Sequence, residues 1–232
     1  MPCYVGGIAP PFLRARKPEE REERITRLLD SAHAMLREGM PVADLSLNGL
    51  ARRAGMAKSN VYRYFESREA VLLALLEAEW AAWSHALVAD WPEAVACGVT
   101  ADAVADRLAR TLSARPLLGA LTAVLPTVLE QNLSEAALAR FKRAAHALVS
   151  GIGADLAARA PGPSASAYAE LVVQLSMVVA GVYPNAYPNP VVARVLEADP
   201  TLQTLFRRDY EQDLRRISRA LLREMEGAAG TP

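Results

Sequence analysis

The stretch RRAGMAKSNVYRYFESRE, residues 52–69, gathers four arginines, one lysine and two tyrosines around a single glycine, with only two acids near its end. Cations at this density, interleaved with phenols, are chemistry for a polyanion. Guanidinium and ammonium groups neutralise phosphates, and a tyrosine hydroxyl donates a hydrogen bond to a phosphate oxygen while its ring packs on protein. The chain as a whole carries no net charge at pH 7. Residues 1–72 hold 12 Lys/Arg against 9 Asp/Glu, residues 73–232 hold 14 against 17, and 46–68 hold five basic residues and one acid. The positive charge is therefore a local surface, not a property of a generally basic protein.

The elements that must position these residues read as helices throughout. From Glu19, the residues Ile25, Leu28, Leu29, Ala32 and Leu36 share one helical face, and Gly39 and Pro41 end the run. Ser46 can cap a short helix that turns Leu47, Leu50, Ala51 and Ala54 inward. Gly55 ends it, because a sharp reversal favours a residue tolerant of positive φ. A third helix follows through Val61 and Phe65, and Ser67 opens a longer one past Trp83. Further helices are expected from Thr100, from Pro116 with a break at Pro126, from Ser134 to Leu156, over the very apolar 166–182, and from Pro200 through Leu221. The stretches APGPS and NAYPNP read as breaks. No segment alternates with period two for long enough to form a sheet, so the fold class is all-α.

Two short helices joined at Gly55 and preceded by a third form the helix-turn-helix plan. Small Ala51 and Ala54 allow the pair to cross closely, and Val61 and Phe65 seat the second helix on the core. Lys58, Ser59, Tyr62 and Arg63 then point outward on a helix short enough to enter a major groove. Arg52, Arg53 and Arg68 flank the pair, where the phosphates of a duplex would pass. Lys58 and Asn60 lead the helix, where lysine suits guanine and asparagine suits adenine.

The segment SLNGLARRAGMAKSNVYRYFESREAVLLALL resembles the N-terminal DNA-binding region of the TetR family of bacterial transcriptional repressors, most specifically in LARRAG, VYRYF and SRE. The resemblance implies phosphate contacts from Tyr62, Tyr64 and Arg68, and base contacts from Lys58, Ser59 and Asn60. With Ser46, Arg52, Arg53 and Arg63, these make up the candidate DNA-binding set. Ala57 departs from the serine or threonine that many members carry there. The resemblance further implies a flexible arm at 1–18, a three-helix DNA-binding domain at 19–66, a larger helical effector-binding and dimerisation domain at 67–226, and a tail at 227–232. It implies a homodimer, joined through the last two long helices, that binds a near-palindromic operator and is released by a small effector.

For that effector, Trp80, Trp83, Phe141, Tyr168 and Tyr183 are the candidate cavity walls, with Asn132 and Gln174 as polar contacts, so the ligand is expected to be apolar or aromatic. The same apolar 166–182 run has to be buried somewhere, and a second subunit is the expected cover. Enzyme chemistry finds little footing. His33, His85 and His146 fall on separate helices, GIGAD sits inside a helical pattern with no strand before it, and neither a GxSxG nor a Walker sequence is present. No metal or cofactor is expected. Cys3 and Cys97 form no CxxC pair, no signal peptide opens the chain, and apolar runs such as LLGALTAVLPTVL fall short of a membrane span, so the expectation is a cytoplasmic protein.

Overall fold

The computed structural model describes residues 18–91, 99–160 and 162–229, and every regular element among them is a helix. The helix α1 (Pro18–Arg37) carries Glu19 and Glu20 in its first turn and Arg37 in its last, charges that complement its dipole. It stops at Gly39, whose φ of +97° is a left-handed conformation that side chains resist. A short 3-10 turn at Val42–Asp44 leads to α2 (Leu47–Arg53), α3 (Lys58–Val61) and the long α4 (Arg68–Val88). Beyond these come α5 (Ala101–Ser113), α6 (Pro116–Val124), α7 (Glu135–Arg159) and α8 (Ala165–Ala186). The chain closes with α9 (Pro190–Ala198), α10 (Pro200–Phe206) and α11 (Tyr210–Ala229).

Two expectations need correction. The third helix does not run through Phe65. Beyond Val61 the amides of Arg63 and Tyr64 reach back only three residues, to the carbonyls of Asn60 (3.2 Å) and Val61 (2.9 Å), so the chain tightens into a turn. The single helix expected from Pro200 through Leu221 is two. Arg207 is extended (φ −73°, ψ 124°), Asp209 accepts from the amide of Gln212 at 2.9 Å, and Arg208 clamps Asp213 through two hydrogen bonds of 2.7 Å each. The expected break at NAYPNP separates α8 from a further helix that the sequence reading did not name, α9, started by Asn189, whose side chain accepts from the amides of Val191 and Val192. The division at Pro126 is as expected. Proline lacks the amide that a regular turn requires, and Leu125–Leu129 widens into a π-turn.

Packing explains the order of the elements. Helix α4 touches α1 at one end and α5, α6 and α7 along the rest, and it buries Val71, Leu72, Leu73, Leu75, Leu76, Trp83 and Leu87. Helix α11 lies along α5, tied by Arg215 to Asp106 (2.8 Å) and by Arg219 to Asp102 (2.7 Å). Helices α7 and α8 form the closest pair, and Gly153 permits it: a Cβ there would stand 2.3 Å from the Ala165 carbonyl oxygen and 2.9 Å from the Ala169 nitrogen. By length and composition alone, α4 and α8 are both long and apolar enough to cross a membrane, unlike the shorter runs apparent in the sequence. Helix α4 is walled in by four others, whereas α8 leaves Met177 67% exposed.

The two glycines of α7 make opposite predictions. Gly153→Ala is expected to destabilise the protein by about 1–3 kcal/mol, because backbone atoms of α8 would have to move. Gly151→Ala, where an added Cβ meets nothing within 4 Å, is expected to stabilise by about 0.5–1 kcal/mol. Denaturant titration of the two variants measures both.

Candidate nucleic-acid interface

The helix-turn-helix is built from local rules. The Ser46 hydroxyl accepts from the Gly49 amide at 3.1 Å and so caps α2, while Leu47, Leu50 and Ala51 turn into the core. Gly55 makes the reversal at φ +65°, and the Met56 amide returns to the Ala51 carbonyl at 2.9 Å to close the turn. Ala57 stands at the cap of α3 with no side-chain hydrogen bond. Val61, the last residue of α3, is fully buried and Phe65 beyond it nearly so, which seats the end of the short α3 on the core.

With that seating, Arg52, Lys58, Ser59, Tyr62 and Arg63 face outward, and Asn60 and Tyr64 are half-buried. The Lys58 ammonium lies 5.7 Å from the centre of the Tyr62 ring, so the leading lysine and the tyrosine one turn later form one surface unit. Arg52, Lys58 and Arg63 have no carboxylate partner among the described residues. Arg53 differs, because its guanidinium pairs with Glu38 at the end of α1. Arg68 is held in place: it donates to Glu69 at 2.8 Å and to the Ala43 carbonyl at 2.5 Å, tying the start of α4 to the turn before α2. Burial disfavours the Glu69 carboxylate, yet hydrogen bonds from Arg68, its own backbone and Ser67 outweigh burial and hold it below the usual carboxylate range. The partnerships with Glu38, Glu69 and Ala43 join residues that no sequence spacing connects, except that Glu69 stands in the first turn of α4.

The effector candidates divide. Trp80 and Trp83 line a small apolar chamber with Leu118, Thr122, Leu175 and Ser176, about 20 Å³ in volume and large enough for little more than a water molecule. Trp80 and Ser176 also border a groove of about 740 Å³ between α4, α7 and α8, with Phe141 in its wall and Glu77, Lys142, His146 and Glu170 around it. The indole N–H of Trp83 donates to Thr111 at 3.1 Å, whereas that of Trp80 is buried without an acceptor. Asn132, Tyr168, Gln174 and Tyr183 line neither space. Asn132 is exposed and donates to the Val128 carbonyl at 2.7 Å, and Gln174 donates to Glu170 at 3.4 Å. The buried Tyr168 hydroxyl donates to the Ala160 carbonyl at 2.9 Å. Tyr183 stacks with Tyr187 and Tyr210 and covers Gly119. The chamber is instead completed by aliphatic residues of α5, α6 and α8, which composition cannot tell from ordinary core.

A short helix pair with a cationic outer face, mounted on a larger helical domain, defines a DNA-binding regulator. Residues 28–75 match the model for bacterial regulatory proteins of the tetR family, and residues 77–228 match that for the tetracyclin repressor-like C-terminal domain. The chain belongs to the TetR family of transcriptional regulators. Over 56 residues it is 43% identical to the HTH-type transcriptional regulator EthR of Mycobacterium tuberculosis, an alignment that covers 24% of this chain and 26% of that protein. Among solved structures, a TetR transcriptional regulator from Rhodococcus sp. RHA1 aligns with a TM-score of 0.54 and 22% identity, over 88% of this chain and 97% of that one. A TetR-family regulator from Mesorhizobium loti aligns at 0.52 and 13% identity, over 90% and 97%. These two likenesses concern the fold.

The uncapped start of α3 is a direct test of the local reading. Ala57→Ser supplies the missing acceptor to a helix whose cap backbone is already extended (φ −66°, ψ 141°), and it is expected to stabilise the protein by roughly 1 kcal/mol. An unchanged unfolding midpoint would show that the first amides of α3 gain nothing from a side-chain cap.

Proposed function

We propose that this chain is a repressor that binds a near-palindromic operator as a homodimer and lets go of it when a small apolar or aromatic effector binds. The observation that carries the DNA half is the set of outward cations without protein partners, Arg52, Lys58 and Arg63, arranged around Tyr62 on a helix-turn-helix. In this reading Lys58, Ser59 and Asn60 meet base edges, while Arg52, Tyr62, Arg63, Tyr64 and Arg68 meet phosphates. Ser46 serves mainly as a cap, and Arg53 contributes less because Glu38 already offsets its charge. A dimer follows from the limited number of bases one helix can read. It also gives the outer side of α8 a partner other than lipid, and a protein that acts on double-stranded operator DNA works in the cytoplasm.

Effector release is supported by the way α4 is held. Glu79 accepts from Arg115, at the start of α6, over 3.3 Å and hydrogen-bonds His33 of α1 at 3.1 Å. Arg115 also donates to the Ala82 carbonyl of α4 at 3.1 Å. Leu118 and Thr122 of α6 line the small chamber, and Trp80 follows Glu79 directly. A ligand that widens the chamber pushes on α6 and α4 together, and α1 is joined to the same carboxylate. To shift the equilibrium, the ligand must favour the DNA-incompetent arrangement; tight binding alone shifts nothing.

Footprinting upstream of the protein's own gene is the first test, and a protein that protects no DNA there or in a selected random library overturns the reading. On the operator so found, Arg52→Ala and Arg63→Ala are each expected to lower the slope of log affinity against log salt by about 1.8, about 0.9 for each subunit's lost phosphate contact, and Arg53→Ala by less. Lys58→Ala is expected to relax preference at one or two base pairs by about 1–3 kcal/mol. For release, calorimetric titration of apolar and aromatic candidates into the free protein and the operator complex is the measurement. An inducer has to bind the complex more weakly by the factor by which it weakens DNA affinity.

A further inference from the structure

We infer that α9 and α10 form a clasp that packs on a second copy of this chain, adding apolar area to a dimer contact made by the last two long helices, α8 and α11. The inference rests on the homodimer reading and specifies a further surface that closes it. Neither helix buries a single residue in the monomer. Among the described residues, seven of the eight large apolar side chains that stand exposed lie on α8 or between it and the end of α10: Met177, Tyr187, Val191, Val192, Val195, Leu205 and Phe206. On α9 the apolar positions 191, 195, 192 and 196 form one stripe about 140° wide at 3.6 residues per turn. Val192 and Leu196 share a depression of about 210 Å³ with Phe206 of α10 and with Pro184 and Asn185 of α8, so the three helices present a joined surface.

The area fits a dimer. The seven side chains are 43–73% exposed. With large apolar and aromatic side chains at about 150–250 Å² each, they offer on the order of 700 Å². A standard stable interface takes about 800 Å² from each partner. Two-fold symmetry presents the same patch twice, so a surface of this size can meet its own counterpart on the second copy. The charge argues against lipid. From Tyr187 to Phe206 the ionisable residues are Arg194, Glu197 and Asp199, one cation against two acids, a balance of −1. Helices that lie on anionic bilayers are instead rich in Lys and Arg.

The test is sedimentation velocity on a dilution series of the full chain, comparing wild type with the double variant Val195→Glu/Phe206→Glu and the milder Val195→Ser/Phe206→Ser. Both positions are exposed in the monomer, so helicity by circular dichroism is expected to be unchanged. The wild type is expected to be a dimer, and the glutamate pair to raise the dimer dissociation constant by at least about 30-fold, as for the loss of an interface hot spot. The serine pair is expected to fall between the two. Hydrogen exchange on the wild type gives a second readout: amides of 190–206 should gain protection as concentration rises through the dissociation constant. A wild-type dimer whose affinity neither variant alters, with concentration-independent exchange at 190–206, overturns the clasp and leaves the homodimer standing. A wild type that stays monomeric overturns both. Binding of the wild type to phosphatidylglycerol vesicles, lost in the variants without change in self-association, overturns the clasp in favour of a membrane-facing surface.

Discussion

One helix has to satisfy two cores at once. The side of α4 near Ser67 completes the packing of the helix-turn-helix, while the stretch around Trp83 and Leu87 lies among α5, α6 and α7. A helix with those obligations cannot keep a polar face along most of its length, and Val71, Leu72, Leu73, Leu75 and Leu76 are buried nearly all the way round. In the proposed release, the same constraint lets α4 serve as the link. Close-packed interiors do not deform smoothly, so a change of position at one end of a rigid helix is felt at the other. The polar ties confirm where the load is shared: Arg68 binds the turn before α2, and Glu79 joins α1 to the start of α6.

The helix-turn-helix separates two uses of arginine that look alike in the sequence. Arg53 and Arg68 have protein partners and help set the geometry, whereas Arg52 and Arg63 keep their charge for solvent or a ligand. A guanidinium has five donors, so Arg68 can hold Ala43 and Glu69 and still present donors outward. The cost of fixing the flanks is therefore met within the protein. Elsewhere the same economy appears between α5 and α11, where Arg215 and Arg219 answer Asp106 and Asp102 along one edge and hold the last helix in register.

What was legible in the sequence follows the range of the interactions. Ser46, Gly55, Ser67 and Pro126 act within a few residues of themselves, and each does in the structure what its type predicts. Phe206 shows where that stops. Its spacing from Leu202 and Leu214 suits one continuous helix, but the Arg208–Asp213 clamp and the Asp209 cap start a new one, and Phe206 is left 58% exposed. Tyr168 and Tyr183 show the other limit. A large aromatic residue in an apolar helix is equally suited to a cavity wall or to the core, and only the position of Ala160 or of Gly119 decides which.

By itself the sequence determined the all-helical class, the helix-turn-helix with its caps and turn, the cationic stretch, and membership of the TetR family through motifs that are local and continuous. Those features depend on backbone preferences and on the period of the apolar residues, which neighbours along the chain already contain. The tertiary structure alone decided which cations are held by Glu38 and by the Ala43 carbonyl, which aromatic residues border open space, and that α9 and α10 bury nothing of their own. Each of these depends on the distance between residues far apart in the chain. That distance is set by how closely α7 and α8 approach at Gly153 and by how α4 is shared between two cores, quantities that no single segment carries.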